Sequence, residues 1–378
     1  MTPPLFRHSL RVAACWTALA APLLAQSTVT EVSEPQAPAV SVPASWQSVL
    51  DRLTFYGDYR IRAENDQNRP NADDRWRGRL RLRLGANYSV SEELMVGARV
   101  TTGNPDDARD TNATIGNEFG KGTLSLDRLF LTWTPESSDA SFVTAGKFAH
   151  RFARNPIYDE LVWYSNVQPE GILAGTEWRG IGPLDTAAFK LGAYLFRDDT
   201  ERDVEIAVAE MRGSSSLSKG SHLDLSAAWY GFSHAEEVEA ATVDEYQIVD
   251  VIAALSFDDA LAPWRVAVES VTNVGVSSPE NSGWAAGVSY GQIRNRGDWR
   301  VYYQYQEIGN DAVFSPVAGG DFLIDRNFHG HVFNADYRWT NESTLRLRVL
   351  AATPDDPSLI GGFDEDSLRV RLDYSVKF

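Results

Sequence analysis

Arginine is the residue type whose spacing carries chemistry in this chain. In the stretch RWRGRLRLRLGANYSV, residues 75–90, Arg77, Arg79, Arg81 and Arg83 alternate with Gly78, Leu80, Leu82 and Leu84. Successive side chains of an extended strand point to opposite faces, so this order makes one face a ladder of guanidinium groups and the other aliphatic. No helix sorts these residues so cleanly. A guanidinium is permanently charged and presents a fork of donors that matches carboxylate and phosphate, so such a ladder suits the holding or passing of anions. A soluble sheet with an apolar inner face and a basic outer face carries the same local pattern. The rest of the chain must decide.

Segments of roughly ten residues with period-two alternation recur from Leu53 to the last residue, and about sixteen can be counted. They fall near 53–64, 75–88, 93–103, 123–135, 140–149, 170–178, 186–197, 203–212, 221–232, 245–257, 264–272, 283–293, 298–308, 328–340, 343–352 and 367–378. Connections after even segments are short and turn-like, as in VSEE, RNRGD and TNES. Most of those after odd segments are long and acidic, notably 104–122, 150–169, 309–327 and 353–366. An even number of strands with short turns at one end and long loops at the other describes an all-β, closed antiparallel transmembrane β-barrel.

Aromatic placement is consistent with that reading. Trp133, Trp178 and Trp339 end even strands, and Trp264 and Trp299 begin odd ones, which puts these five at the turn end. Trp76, Trp229 and Trp284 fall at the loop end, so the eight make a girdle at two interfaces. The last strand, SLRVRLDYSVKF, alternates apolar and charged residues and ends on Phe378, the form of a C-terminal signal read by an outer-membrane assembly machinery.

Residues 1–25 read as a signal peptide, with Arg7, His8 and Arg11 before an apolar run from Val12 to Leu24 and a small residue, Ala25, at the cleavage point. Cys15 follows a short apolar box, but Arg11 directly precedes it, which weighs against lipidation. Cleavage removes the only cysteine, and with it any thiol, disulfide or cysteine metal site. Residues 26–52 read as a flexible periplasmic lead-in with one helical turn near 45–52, and 53–378 as the barrel. Losing Arg7 and Arg11 and no acid moves the formal net charge from −17 to −19, which argues against nucleic acid as a partner. Beyond Ala25 no apolar run approaches the ~18 residues of a membrane-spanning helix.

Alternation assigns faces to the charges. Arg60, Arg62, Arg77, Arg79, Arg81, Arg83, Arg99, Arg128, Arg346, Arg348, Arg369 and Arg371 point inward from the first four and last two strands, and closure makes these neighbours one basic wall. Glu205, Asp224 and Glu269 are expected inward from the opposite wall, giving a transverse field. The four arginines of residues 77–83 exceed what nearby acids would neutralise. The bland alternative is a set of lumen charges that only satisfy one another.

The 150–169 loop is the expected constriction. Arg151, Phe152, Arg154, Tyr158, Asp159, Glu160, Trp163 and Tyr164 give it an apolar content best hidden from water by folding into the lumen. Packing against a neighbouring subunit or lipopolysaccharide is the alternative. Acidic loops such as DDTERD and GGFDEDS lack a full divalent-cation spacing. His329 and His331 share a strand face without a third ligand, and GNEFGKG lacks the spacing of a phosphate loop. No metal, cofactor or catalytic residue is expected. A barrel hydrolase would require an outward Ser-His pair at the membrane rim, and a plugged structural or adhesive barrel would need the 150–169 loop or the lead-in as its plug.

The run LDRLFLTWTPESSDASFVTAGKF followed by RNPIYDELVWYSNVQPEGI resembles the putative porin family of Gram-negative bacteria. The matching features are an acid-Arg strand, a Gly-basic-aromatic strand, Asn155-Pro156, Trp163 and Pro169-Glu170-Gly171; where family members have an acid after the loop tryptophan, this chain has Tyr164. The resemblance implies an outer-membrane pore, surrounded by lipid and lipopolysaccharide, and says little about the solute; the residues themselves point to passive entry of small hydrophilic solutes with an anion bias set by the arginine wall. Analogy with general porins adds a homotrimer to the expectation.

Overall fold

The computed structural model describes residues 44–116, 118–138, 140–238, 241–259 and 262–378. The expected signal peptide, Cys15 and most of the lead-in lie outside the described residues. The chain divides into units 1–47 and 48–378, and the second holds the whole sheet. A short helix, α1 (Ala44–Leu50), stands where a helical turn was expected.

Among the described residues seventeen strands follow in one antiparallel sheet: β1 (Leu53–Gln67), β2 (Arg75–Ser89), β3 (Leu94–Thr102), β4 (Ala113–Thr114), β5 (Leu124–Trp133), β6 (Ser141–Lys147), β7 (Glu170–Ile181), β8 (Leu184–Arg197), β9 (Val204–Ser218), β10 (Ser221–Phe232), β11 (Tyr246–Phe257), β12 (Trp264–Asn273), β13 (Ser282–Gly291), β14 (Trp299–Ile308), β15 (Phe328–Arg338), β16 (Ser343–Pro354) and β17 (Ser367–Lys377). Each of the sixteen expected segments is a strand. The additional one, β4, is a two-residue piece of the loop after β3 that pairs with β2 through Arg79↔Thr114 and Leu80↔Ala113. The sixteen long strands close into a barrel, because β1 pairs with β2 on one side and with β17 on the other, in register from Asp58↔Lys377 to Gln67↔Leu368.

Closure pairs the backbone groups that two open edges would leave unsatisfied, and alternation sets which side chains then face in and out. In β17, Arg369, Arg371 and Asp373 are buried inside while Leu372 and Tyr374 are exposed outside. The seam is finished by Gly57, which exchanges backbone hydrogen bonds with Phe378. A Cβ on Gly57 would lie 2.7 Å from the Phe378 ring, so the aromatic covers the bare backbone of its neighbour.

Turns at one end are as short as residues 182–183 and 219–220, whereas the other end carries the 103–123, 148–169 and 309–327 loops. The outer face exposes Leu84, Leu131, Leu191, Met211, Val268, Leu347 and Leu372, far more contiguous apolar surface than a barrel in water would show. All eight expected tryptophans project from this outer face or its ends.

The hydrophobic core sits inside the barrel. Two long loops fold inward and fill the half of the lumen lined by β7–β15. Phe152, Tyr158, Leu161, Val162, Trp163 and Val167 come from one of them, and Val313, Phe314, Val317, Phe322 and Ile324 from the other. Phe314 packs against Phe232 and Tyr246 at centroid distances of 4.7 and 5.3 Å. The first loop was expected inside; the second was not.

Candidate functional site

Two facing glycines make the neck through which the 148–169 loop enters. Gly146, next to the end of β6, pairs with Gly171, the second residue of β7. Both have positive φ, +111° and +152°, and a Cβ would meet Leu129 O at 2.3 Å or Ala193 O at 2.1 Å. No L side chain fits either place. Phe148 N–H then donates to Pro169 O at 3.1 Å and closes the neck. Inside, the Asn155 side chain accepts from Ile157 N–H and donates to Glu269 at 2.8 Å. Ile157 lies over Gly287 of β13, and Tyr158 O accepts from Gln304 of β14, so the loop crosses to the far strands. Trp163 donates to Val167 O and stacks on His150, centroids 4.7 Å apart. Burial holds the His150 imidazole well below its usual pKa, so it packs there as a neutral ring.

Three loops interlock over the lumen. Tyr164 N–H donates to Val317 O at 2.7 Å and its hydroxyl to Asp321 at 3.2 Å. Asn166 donates to Arg109 O, and Arg109 reaches Asp325 at 3.3 Å. Glu160 and Asp321 respond oppositely to this crowding. Burial, then the neighbouring Asp321, pushes the Glu160 carboxyl well up. Burial also opposes the Asp321 charge, but Arg371, Arg348 and Arg62 together hold it well below the usual carboxylate range.

The twelve expected arginines all lie on the inner face. Arg60 and Arg62 come from β1, Arg77 to Arg83 from β2, Arg99 from β3, Arg128 from β5, Arg346 and Arg348 from β16, and Arg369 and Arg371 from β17. Arg128 faces inward beside Asp127 because a bulge interrupts the register of β3 and β5.

The local excess expected at β2 is reduced, not abolished, because acids from other elements reach the ladder and two of them are shared. Asp58 accepts from Arg81 and Arg83, Glu64 from Arg77 and Arg371, and Asp110 from Arg79. Asp373 holds Arg62 through two bonds of 2.7 and 2.8 Å, and Asp66 takes Arg369 at 2.6 Å. Those acids sit on neighbouring strands or on a loop, so the β2 pattern alone could not reveal them.

The opposite wall also differs. Glu205 lies on the outer face, because β9 turns Val204, Ile206, Val208 and Glu210 inward. The polar-inside rule fails here since the inserted loops, not water, fill this half of the lumen. Glu269 does face inward, but with Glu210 and Asp250 it is buried under the loop; Ala153 N–H and Lys190 bind Glu210. Asp224 faces the lumen near the turn end and lies 3.4 Å from Arg212. An acid face open to water is therefore replaced by a covered one.

Open space remains along the arginine wall. A cavity of about 700 Å³ toward the turn end is lined by eleven cationic and five acidic side chains. A smaller one, about 230 Å³, lies toward the loops and is lined by seven arginines and three aspartates. Arg62 and Tyr164 border both, so they mark the waist between them. Of the other loop residues, Arg154 and Glu160 line the larger cavity, Arg154 pairs with Asp159, and Arg151 lies over the Phe142 ring at 5.1 Å.

Residues 67–202 match the model of the putative porin family. That match spans the acid-Arg strand, the glycine neck and the whole inserted loop. The family resemblance expected from the motifs is thereby shown. No curated protein sequence matches the chain. Among solved structures, the high-pH form of Pseudomonas putida OprB is similar at 13% identity and TM-score 0.59, covering 89% of this chain and 96% of that one. Salmonella typhi OmpF in complex with daunomycin is similar at 10% identity and TM-score 0.55, covering 86% and 97%. At these identities the likeness to both is one of fold.

Sequence reasoning missed one further arrangement. Ser216 Oγ lies 3.1 Å from His222 Nδ1, but Asp185 binds Ser216 at 2.6 Å instead of the imidazole. A hydrolytic relay needs the acid on the histidine. His329 is paired with Asp355, and His331 with Tyr303 at 2.7 Å, both on the outer side of β15.

Proposed function

We propose that the chain is an outer-membrane channel that passively admits small hydrophilic solutes and favours anions. The observation that carries this reading is the pair of water-facing cavities along the arginine wall, each lined by about twice as many cations as carboxylates. Fixed guanidinium charge on a wall of low polarisability concentrates anions and repels cations. The exposed aliphatic belt and its tryptophans support a bilayer and lipopolysaccharide around the barrel. Phe378, on the closing strand, is the group we assign to recognition by the assembly machinery, and a homotrimer remains part of this reading by analogy.

A second reading, a plugged barrel, is favoured by the interlock of Tyr164, Val317, Asp321 and Arg109 across the lumen. One experiment separates the two. Residues 26–378 are reconstituted in a planar bilayer, and conductance and reversal potential are read in a salt gradient, with Arg79, Arg81 and Arg83 then changed to Ser. Steady conductance with an anion-side reversal potential that weakens in the variant supports the channel. Folded protein that conducts nothing supports the plug.

A further inference from the structure

Charge pairing along the arginine wall is uneven. On β16 and β17, Arg346 has Asp336 at 2.6 Å, Arg348 has Asp321, and Arg371 has both Glu64 and Asp321. From β1 to β5 the supply runs short. Arg60 faces Arg81 directly across β1 and β2, and Arg99 faces Arg128 across β3 and β5. Like charges placed opposite each other in a sheet repel.

Five guanidiniums here share three carboxylates. Asp58 serves both Arg81 and Arg83, Asp127 takes Arg99, and Asp373 stands 3.8 Å from Arg60. Among the described residues Arg128 forms no ion pair within 4.0 Å; it donates to the neutral Gln168 side chain at 2.8 Å, and the Asp127 carboxylate beside it is already taken by Arg99. Among the described residues Arg60 Nε and Arg99 Nη2 are buried without a hydrogen-bond partner, on residues 8% and 7% exposed. A buried cation left this way is costly unless an anion completes it. All five line the larger cavity.

We propose that these arginines form a subsite for a small polyanion, a molecule with two or more phosphate or carboxylate groups set apart. This rests on the channel reading above and names its preferred solute class. The five span four adjacent strands, about 15 Å of wall at the usual strand spacing. A single chloride or acetate can engage one end of that span, whereas linked anionic groups engage several guanidiniums with the second contact already local. Forked donors accept phosphate and carboxylate alike.

The test uses residues 26–378 in a planar bilayer carrying chloride current, titrated with tripolyphosphate, citrate or acetate. Tripolyphosphate or citrate should block at concentrations at least about tenfold below acetate, a difference of about 1.4 kcal/mol, and the ratio of the two tells phosphate from carboxylate preference. Arg128→Gln and Arg99→Gln should each raise the half-blocking concentration severalfold, while Lys147→Gln on the outer face should leave it unchanged. An anion-side reversal potential with no preference for the polyanions overturns the subsite alone. So does block that survives both arginine substitutions. A reversal potential without anion bias overturns the channel reading itself.

Discussion

The two sides of the lumen hold ionised groups in opposite ways. Along β16, β17, β1, β2, β3 and β5, arginines and acids interleave and border open cavities. Across the barrel, Glu210, Asp250 and Glu269 lie beneath an inserted loop that supplies Ala153 N–H and Asn155 as partners. One wall keeps its charge usable by leaving it beside water. The other has its charge silenced by cover, and the cover fills that half of the lumen.

Removing the cover should have the largest effect. Replacing residues 150–168 by a short Gly-Ser link should raise single-channel conductance severalfold and weaken the anion bias, because three carboxylates then face the lumen. Unchanged conductance in the folded variant would mean that the loop does not set the width. Phe152→Ala attacks the same contact more gently. The ring is 3% exposed and stands against Tyr230 and His150, so its loss should weaken loop docking by about 3 kcal/mol. Faster proteolysis within 150–168 of the intact barrel is the readout, and an unchanged rate counts against tight docking.

On the open wall, Asp58→Ala frees Arg81 and Arg83 together. Stability in a urea series should fall by about 1–3 kcal/mol, while the reversal potential moves further to the anion side. A shift toward cations would break the link between pairing and selectivity.

The smallest expected effect is one of pH. Burial pushes the Asp159 carboxyl up to about 6 against the pull of Arg154, and the carboxylates of Asp250 and Glu269 face it from β11 and β12. Its ordinary value is 3.8, so the docked state binds the proton more tightly. Docking is then strongest near pH 4 and weakens as pH rises to 6, after which this group adds no further change. Loop proteolysis should quicken over that window, and Asp159→Asn should flatten the trend.

The barrel was legible in the sequence because alternation and end asymmetry mark it, and every strand displays them separately. Arg369 and Arg371 could be placed on the inner face from period two alone. Glu205 could not, since its facing depends on Phe314 and its neighbours replacing water inside, a long-range fact. The inward path of residues 148–169 was readable from the aromatics of the loop itself. The 309–327 loop also contains Val313, Phe314, Val317, Phe322 and Ile324, a signal of the same kind. Carboxylates such as Asp321 and Asp110 escaped notice because they reach the arginines from loops, where period two says nothing.

The waist at Arg62 and Tyr164 divides the path into unequal chambers, and the larger, more cationic one lies toward the turn end. A passage built this way is not electrically symmetrical. In the proposed channel, anions driven from one side would fill the larger reservoir before they met the bottleneck, while those driven from the other would meet the bottleneck first. Current through a single inserted orientation should therefore differ with the sign of the applied voltage, making the molecule a weak rectifier.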